Sequence, residues 1–375
     1  VADGERERRA SLLARPEADV IVTSYPLLRR DLDLYGKTEF HTLLLDEAQT
    51  IKNHATQTAR AAKAIRSSYR FALTGTPVEN SLDDLRSIFE AVFPGLLPGR
   101  KEFAELPREA VAKRIRPFVL RRLKADVLRE LPEKIETLQA SELLPEQKKL
   151  YVAHLAKLQQ ETLKHLSVDG WKRHKMRIIA GLTRLRQLCC HPALFVEGYE
   201  GSSGKFEQLL DIVEECRSSG KRMLIFSQFT EMLGLIRREL GYRGVSFFYL
   251  DGQTSASDRI ELSARFNEGE REAFLVSLKA GGTGLNLTGA DTVILYDLWW
   301  NPAVEQQAAD RAHRIGQKKV VQVIRLVAQG TVEDKMYELQ RRKSNLLDEV
   351  VQAGSESLSA LSEQDVRELL SLDGT

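Results

Sequence analysis

The sequence predicts an α/β protein with two lobes built on mostly parallel sheets and with helical insertions between and after them. Three observations carry that expectation. Short apolar runs recur at 43–45, 71–73, 223–226, 247–250, 274–277, 292–296 and 320–326, and several break onto glycine or polar residues. Helical patterning lies between several of these runs, the order that leads to right-handed crossovers and a parallel sheet. From about Leu82 to Cys190 helical patterning dominates, and this separates an early group of runs from a late one.

Composition limits the function classes. A chain of 375 residues that is 42% hydrophobic has enough apolar material for two or three domains with true cores. Its 55 basic and 53 acidic residues exclude a uniformly basic coat, so contact with nucleic acid has to come from local patches. Cys189, Cys190 and Cys216 form a sparse, odd set that reads as reduced thiols of an intracellular protein. Cys189, Cys190 and His191 are too crowded for usual zinc-ligand spacing. No apolar run approaches the roughly 18 residues of a membrane span and no signal peptide opens the chain, so no membrane partner is expected.

In the first part, Glu5 to Leu13 reads as a helix and Asp19 to Thr23 as a short buried strand. Ser24 follows at its end, where a serine by itself is a turn former. His41 to Leu45 is the next strand, and its three consecutive leucines imply burial on both faces. It delivers Asp46 and Glu47 to the strand end. Paired carboxylates there suit a phosphate site, one holding Mg²⁺ while the other polarises water. Acids at a helix N-terminus, favoured by its dipole, read equally well. The run Phe71 to Leu73 then feeds Thr74-Gly75-Thr76-Pro77, where a glycine and two hydroxyls permit close backbone approach and hydrogen bonding.

Pro145 to Leu166 and Trp171 to Cys190 read as two helices, preceded by an extended connection between lobes from Ile135 to Leu144. The basic run Trp171 to Arg177 suits either a phosphate backbone or water. A helix Phe206 to Arg217 precedes the first late strand. Lys279 to Gly284 bring backbone amides and a cation to a strand end, a setting able to hold a phosphate. Asn301 caps the next helix and Pro302 supplies its preset φ. Arg311 and Arg314, three residues apart, are expected on one face of that helix, with Gly316 as its stop. Trp299 and Trp300 read as packing residues. A charged helix spans Thr331 to Val351, and Ser362 caps a last helix ending near Leu370.

The words WWNP and QAADRAHRIGQ resemble the last two signature motifs of the Swi/Snf-type ATPases, a branch of helicase superfamily two that moves along double-stranded DNA. DVIVTSY, LLLDEAQTIKN, TGTPVEN, PFVLRRLKADV, LTRLRQLCCHPAL and KRMLIFSQF extend the resemblance from about Val20 to the C-terminus. It implies two RecA-like lobes, ATP and Mg²⁺ as cofactors, and double-stranded DNA as partner. By the resemblance Asp46 holds Mg²⁺ through ATP, Glu47 serves the attacking water, and Gln49 stands where many relatives carry His. Thr74, Gly75 and Thr76 belong to a coupling motif. Arg311 and Arg314 are arginine fingers for the γ-phosphate, worth roughly 10³ to 10⁵ in rate. Gly282, Gly284, Asp310 and Gln317 join the nucleotide-binding or coupling set, whereas Ser24, Lys279, Thr283 and Asn286 contact DNA. Arg121 and Arg122 fall in a segment that helps stabilise the nucleotide-bound arrangement, and the helix from Thr331 braces the lobes. The implied domains are a partial first lobe at 1–105, helical protrusions and connection at 106–200, a second lobe at 201–330 and brace helices at 331–375.

A motor of this kind needs a P-loop, whose amides and lysine cradle the phosphates. The pattern is absent from the sequence; its nearest imitation, Gly201-Ser202-Ser203-Gly204-Lys205, has Tyr199 and Phe206 where glycine and a hydroxyl belong. The expectation is therefore an incomplete first lobe, beginning at Val1 downstream of the P-loop, and a fragment that does not hydrolyse ATP by itself. The expected function is the motor fragment of a DNA translocase that displaces a bound protein, such as a polymerase or nucleoid protein. The alternatives are a catalytically inactive DNA-binding or interaction module and an RNA helicase of the same superfamily. Compact inserts resemble bacterial members, which implies the cytoplasm and its nucleoid, or the nucleus in a eukaryote.

Overall fold

A computed structural model of the chain describes residues 6–14, 18–75, 82–122, 124–128, 130–168, 171–281, 284–351 and 363–371. The chain divides into two compact units, one built on residues 1–121 and the other on 122–343 with 361–375. This division puts the helices at 145–190 in the same unit as the late strands, whereas the resemblance implies boundaries after 105 and 200.

In the first unit, β1 (Glu39–Leu45) and β2 (Arg66–Ala72) pair in parallel, with Leu45 beside Ala72 at their carboxyl ends. Parallel pairing demands a crossover, which the helix Gln57–Ala64 supplies, its first turn capped by the Thr56 hydroxyl. Leu45, Ile51, Ala59, Ala62, Ile65 and Ile88 close the core on one side. Two expectations need correction. Residues 19–23 form no strand: Ile21 packs on the core, but Val20 and Val22 are 77% and 71% exposed. Leu44 is 57% exposed, beside Tyr69 and Phe71, so β1 is buried on one face only. Among the described residues this sheet has just two strands, and Leu44, Tyr69 and Phe71 stay exposed on its outer face.

The second unit carries a six-stranded, wholly parallel sheet of β3 (Lys134–Ser141), β4 (Met223–Ser227), β5 (Phe247–Leu250), β6 (Ala273–Ser277), β7 (Thr292–Leu295) and β8 (Val321–Ala328). Its order is β3-β8-β7-β4-β6-β5. Side chains alternate between two cores. Met223, Ile225, Leu275, Ile294 and Ile324 meet the helices Gly204–Ser218 and Thr230–Tyr242 on one face. Leu224, Phe226, Phe274, Val276, Val293 and Leu295 meet Phe266, Ala308 and Ala309 on the other. The segment read as an extended connection is β3, an edge strand paired with β8 from Lys134–Val321 to Ser141–Ala328. Its signal was weak because an edge strand keeps a polar, half-exposed pattern, here with Lys134 and Glu136 among its residues. A third core joins the helices Pro145–Val168 and Trp171–Cys190 to Val332 and Met336 of the helix Val332–Val351 and to Val366 and Leu369 of the helix Glu363–Leu369. Ser362 lies outside the described residues.

Candidate functional site

In the first unit the end of β1 and the end of β2 meet at a built polar cluster. The backbone of Leu73 links the two, its N–H donating to Leu45 O at 2.8 Å and its carbonyl accepting from Ala48 N at 2.9 Å. Asp46 and Glu47 lie exposed at this strand end. Asp46 Oδ1 accepts from Glu47 N at 2.9 Å, and Glu47 adopts φ 48° and ψ 50°, the left-handed region that residues with a Cβ seldom occupy. Gln49 Nε2 donates to Glu47 Oε2 at 2.5 Å, and Gln49 Oε1 accepts from the Thr74 hydroxyl at 2.7 Å. The acid pair is therefore wired through Gln49 to Thr74, with Gly75 adjacent. Thr76 lies outside the described residues. The arrangement presents two carboxylates to solvent and gives one of them a neutral amide partner. A hard cation that keeps most of its ligands as water and phosphate oxygens fits such a donor set, and needs only one or two protein carboxylates.

Ser24 is exposed and caps the short helix Tyr25–Arg30, its Oγ accepting from Leu27 N at 3.5 Å. Tyr25, to which the residue pattern assigned no role, donates its hydroxyl to Asp46 O at 2.8 Å.

In the second unit, Asn301 Oδ1 accepts from Ala303 N at 3.0 Å and Pro302 opens the helix Pro302–Ala309, as its sequence predicts. That helix stops before the arginines, which corrects their expected shared face. Arg311 and Ala312 make i to i−3 bonds to Ala308 and Ala309, tightening the backbone. The turn then closes with Gln317 N on Arg314 O at 2.9 Å and Gly316 at φ +101°. Arg311 is buried at 8% exposure and Arg314 is exposed.

The Gln317 side chain organises this turn. Its amide nitrogen donates to Thr288 O, Ala290 O and Ala312 O at 2.8 to 3.1 Å, and its oxygen accepts from Lys318 N and Lys319 N. Asp310 is engaged by Lys124 Nζ at 2.7 Å, and Lys124 also donates to His313 O. Lys124 is a second residue that motif reading passed over; it stands in the same quoted segment as Arg121 and Arg122, both of them exposed.

Lys279 follows β6 in the short helix Leu278–Gly281, and Gly284 adopts φ +54°. Asn286 is exposed and its carbonyl accepts from Asn267 Nδ2 at 2.9 Å. Gly282 and Thr283 lie outside the described residues. Arg259, also missed by motif reading, donates to Thr254 O and Asp251 O and so fixes the loop after β5. Asp297 at the end of β7 is fully buried and holds Ser227 Oγ and Gln228 Nε2; burial pushes its pKa up, against the pull of Arg186 and of these bonds.

Lys205, the lysine of the imperfect P-loop-like stretch, is no phosphate ligand. Its ammonium is fully buried, 2.8 Å from Glu333 Oε2 and 2.9 Å from Tyr296 O. The three cysteines are free and buried, and among the described residues no group of three or more His, Cys, Asp or Glu side chains is placed to hold a metal ion. Also among the described residues, no helix is long and apolar enough to cross a membrane.

Comparison with known proteins identifies the family. The SNF2-related domain matches residues 3–194 and the helicase conserved C-terminal domain matches 204–316. A putative ATP-dependent helicase/translocase, YwqA, of Bacillus subtilis is 38% identical over 96% of the chain and 40% of its own length. An uncharacterized ATP-dependent helicase of Mycoplasma pneumoniae is 37% identical over 92% of the chain and 34% of its own length. The chain thus spans about two fifths or less of these curated relatives. The Sulfolobus solfataricus SWI2/SNF2 ATPase core in complex with dsDNA is 35% identical, covering 97% of this chain and 79% of that one, with a TM-score of 0.52. With two RecA-like lobes of parallel sheet, an acid pair at the end of β1 and the DRAHRIGQ turn after the helix Pro302–Ala309, the chain belongs to the SNF2 family of helicase-like ATPases.

Proposed function

We propose that these residues form the motor part of an ATP-dependent translocase on double-stranded DNA, which uses nucleotide hydrolysis to move along the duplex and displace a bound protein. The observation that carries the reading is the wired acid turn, Asp46 and Glu47 joined through Gln49 to Thr74. In this reading MgATP is the substrate. Asp46 takes the ion, Glu47 orients the attacking water, and Arg311 and Arg314 stabilise charge on the γ-phosphate. The Thr74, Gly75, Thr76, Gly282, Gly284, Asp310 and Gln317 positions serve coupling, and Ser24, Lys279, Thr283 and Asn286 serve the DNA backbone. Phosphate tracking needs no base readout, so binding is salt-sensitive and nearly indifferent to sequence. The relatives' printed names, among them a TATA-binding protein-associated factor of yeast at 35% identity, support a DNA-bound protein as the object displaced. The place of action is the nucleoid in a bacterium and the nucleus in a eukaryote.

The 375 residues contain no P-loop pattern, so by themselves they turn over negligible ATP. The test uses the full gene product. Duplex DNA stimulates its ATPase more than RNA does, Glu47→Gln abolishes turnover, and Arg314→Ala leaves nucleotide affinity within about threefold while turnover falls roughly 10³-fold or more. A loss within twofold for Arg314→Ala ends the finger assignment. Absence of turnover in the unmodified product favours the inactive DNA-binding module, and preferential stimulation by RNA favours an RNA helicase.

A further inference from the structure

The peptide unit joining Asp46 to Glu47 is clamped at both ends. Its carbonyl accepts from the Tyr25 hydroxyl at 2.8 Å, and its N–H donates to Asp46 Oδ1 at 2.9 Å. Rotation of this one peptide changes φ of Glu47, which stands at 48°, a value that a residue with a Cβ keeps only where its surroundings impose it. The N–H clamp is local, since any Asp can bond its neighbour's amide. The carbonyl clamp comes from 21 residues away.

Tyr25 is well placed to impose that conformation. It begins the helix Tyr25–Arg30, which Ser24 caps and whose Leu28 is buried, and its own ring packs on the core of the first unit.

We infer that Tyr25 is a positioning residue for the proposed hydrolysis, fixing the left-handed backbone of Glu47 and with it the spacing of the two carboxylates. The inference rests on the proposed function of that acid pair. It goes beyond it in naming a residue that touches neither nucleotide nor ion yet sets how fast they react.

Tyr25→Phe removes only the hydroxyl. In the full gene product it lowers kcat about fivefold to tenfold, the scale of one neutral hydrogen bond, leaves KM for ATP within twofold, and raises the Mg²⁺ concentration at half activity. Tyr35→Phe is the control. Tyr35 is 2% exposed and bonds Thr23 Oγ1 at 2.8 Å, so it loses a hydroxyl bond to the same stretch of chain without touching the acid turn, and its kcat stays within twofold. In the 375-residue chain, amide exchange of Glu47 and Ala48 quickens about tenfold in Tyr25→Phe, while amides of the helix Gln57–Ala64 do not change. Wild-type kcat and unchanged exchange in Tyr25→Phe overturn the inference, as does an equal kcat loss in Tyr35→Phe. If the unmodified gene product shows no turnover, the proposed activity falls instead, and amide exchange alone decides the role of Tyr25.

Discussion

Breaking the buried ion pair between Lys205 and Glu333 should destabilise the second unit far more than removing both charges together. Neither side chain has exposed surface, and the ammonium lies 2.8 and 2.9 Å from the two carboxylate oxygens. Lys205→Met leaves Glu333 with only Ala328 N at 3.1 Å and the weak Cys190 thiol at 4.0 Å as donors, with no opposite charge, in a site that has no exposed surface. An uncompensated buried charge costs about 3–5 kcal/mol. In a unit of about 240 residues that amounts to a fall in Tm of roughly 6–20 °C, at about 2–4 °C per kcal/mol. The double variant Lys205→Met with Glu333→Leu has no stranded charge, and is expected within about 1–2 kcal/mol of wild type. All three tryptophans, Trp171, Trp299 and Trp300, belong to this unit, so denaturation followed by tryptophan fluorescence reports on it alone. A single-variant loss below about 1 kcal/mol, or a double variant less stable than the single, refutes the reasoning.

Two further outcomes follow from named groups. His191 is 5% exposed, its Nδ1 accepts from Ala193 N at 3.2 Å, and burial, with a smaller push from Arg238, lowers its pKa to about 4. The unfolded chain therefore binds the proton first. Stability from this group is complete above about pH 6.5 and is lost as pH falls toward 4, by at most about 3 kcal/mol; His191→Asn, which keeps an acceptor but does not titrate, flattens that slope in melts from pH 7 to 4. At Gly316 an added Cβ meets open space, but φ is +101°, so Gly316→Ala costs about 1–3 kcal/mol through the backbone alone, read as faster amide exchange at Gln317 and a lower Tm.

The sequence by itself was enough for the elements and chemistry that are local in character. The five strands of the second unit that are buried in mid-sheet or framed by helices announced themselves as apolar runs, and the Asn301-Pro302 start needed no tertiary context, because capping is settled within three residues. The motif residues Asp46, Glu47, Gln49 and Thr74 were named from order in the chain, and the parallel pairing of β1 with β2 brings them together. Tertiary structure decided the rest. Whether Asp19 to Thr23 becomes a strand depends on a neighbour to complete its ladder, and no strand forms there. Whether Ile135 to Ser141 links or pairs depends on the open edge of β8, since a half-polar segment carries little preference of its own. The Arg311–Arg314 segment leaves helical geometry because the Gln317 amide binds carbonyls brought in from residues 288 and 290, which helical periodicity does not register. Lys205 lies in the stretch that fails the P-loop pattern, and what it does instead was not legible there: a carboxylate 128 positions away, buried beside it, makes it part of the core. Patterns along a chain record what each residue prefers with its near neighbours, whereas hydrogen bonds and charge pairs between distant segments exist only once the core has drawn those segments together.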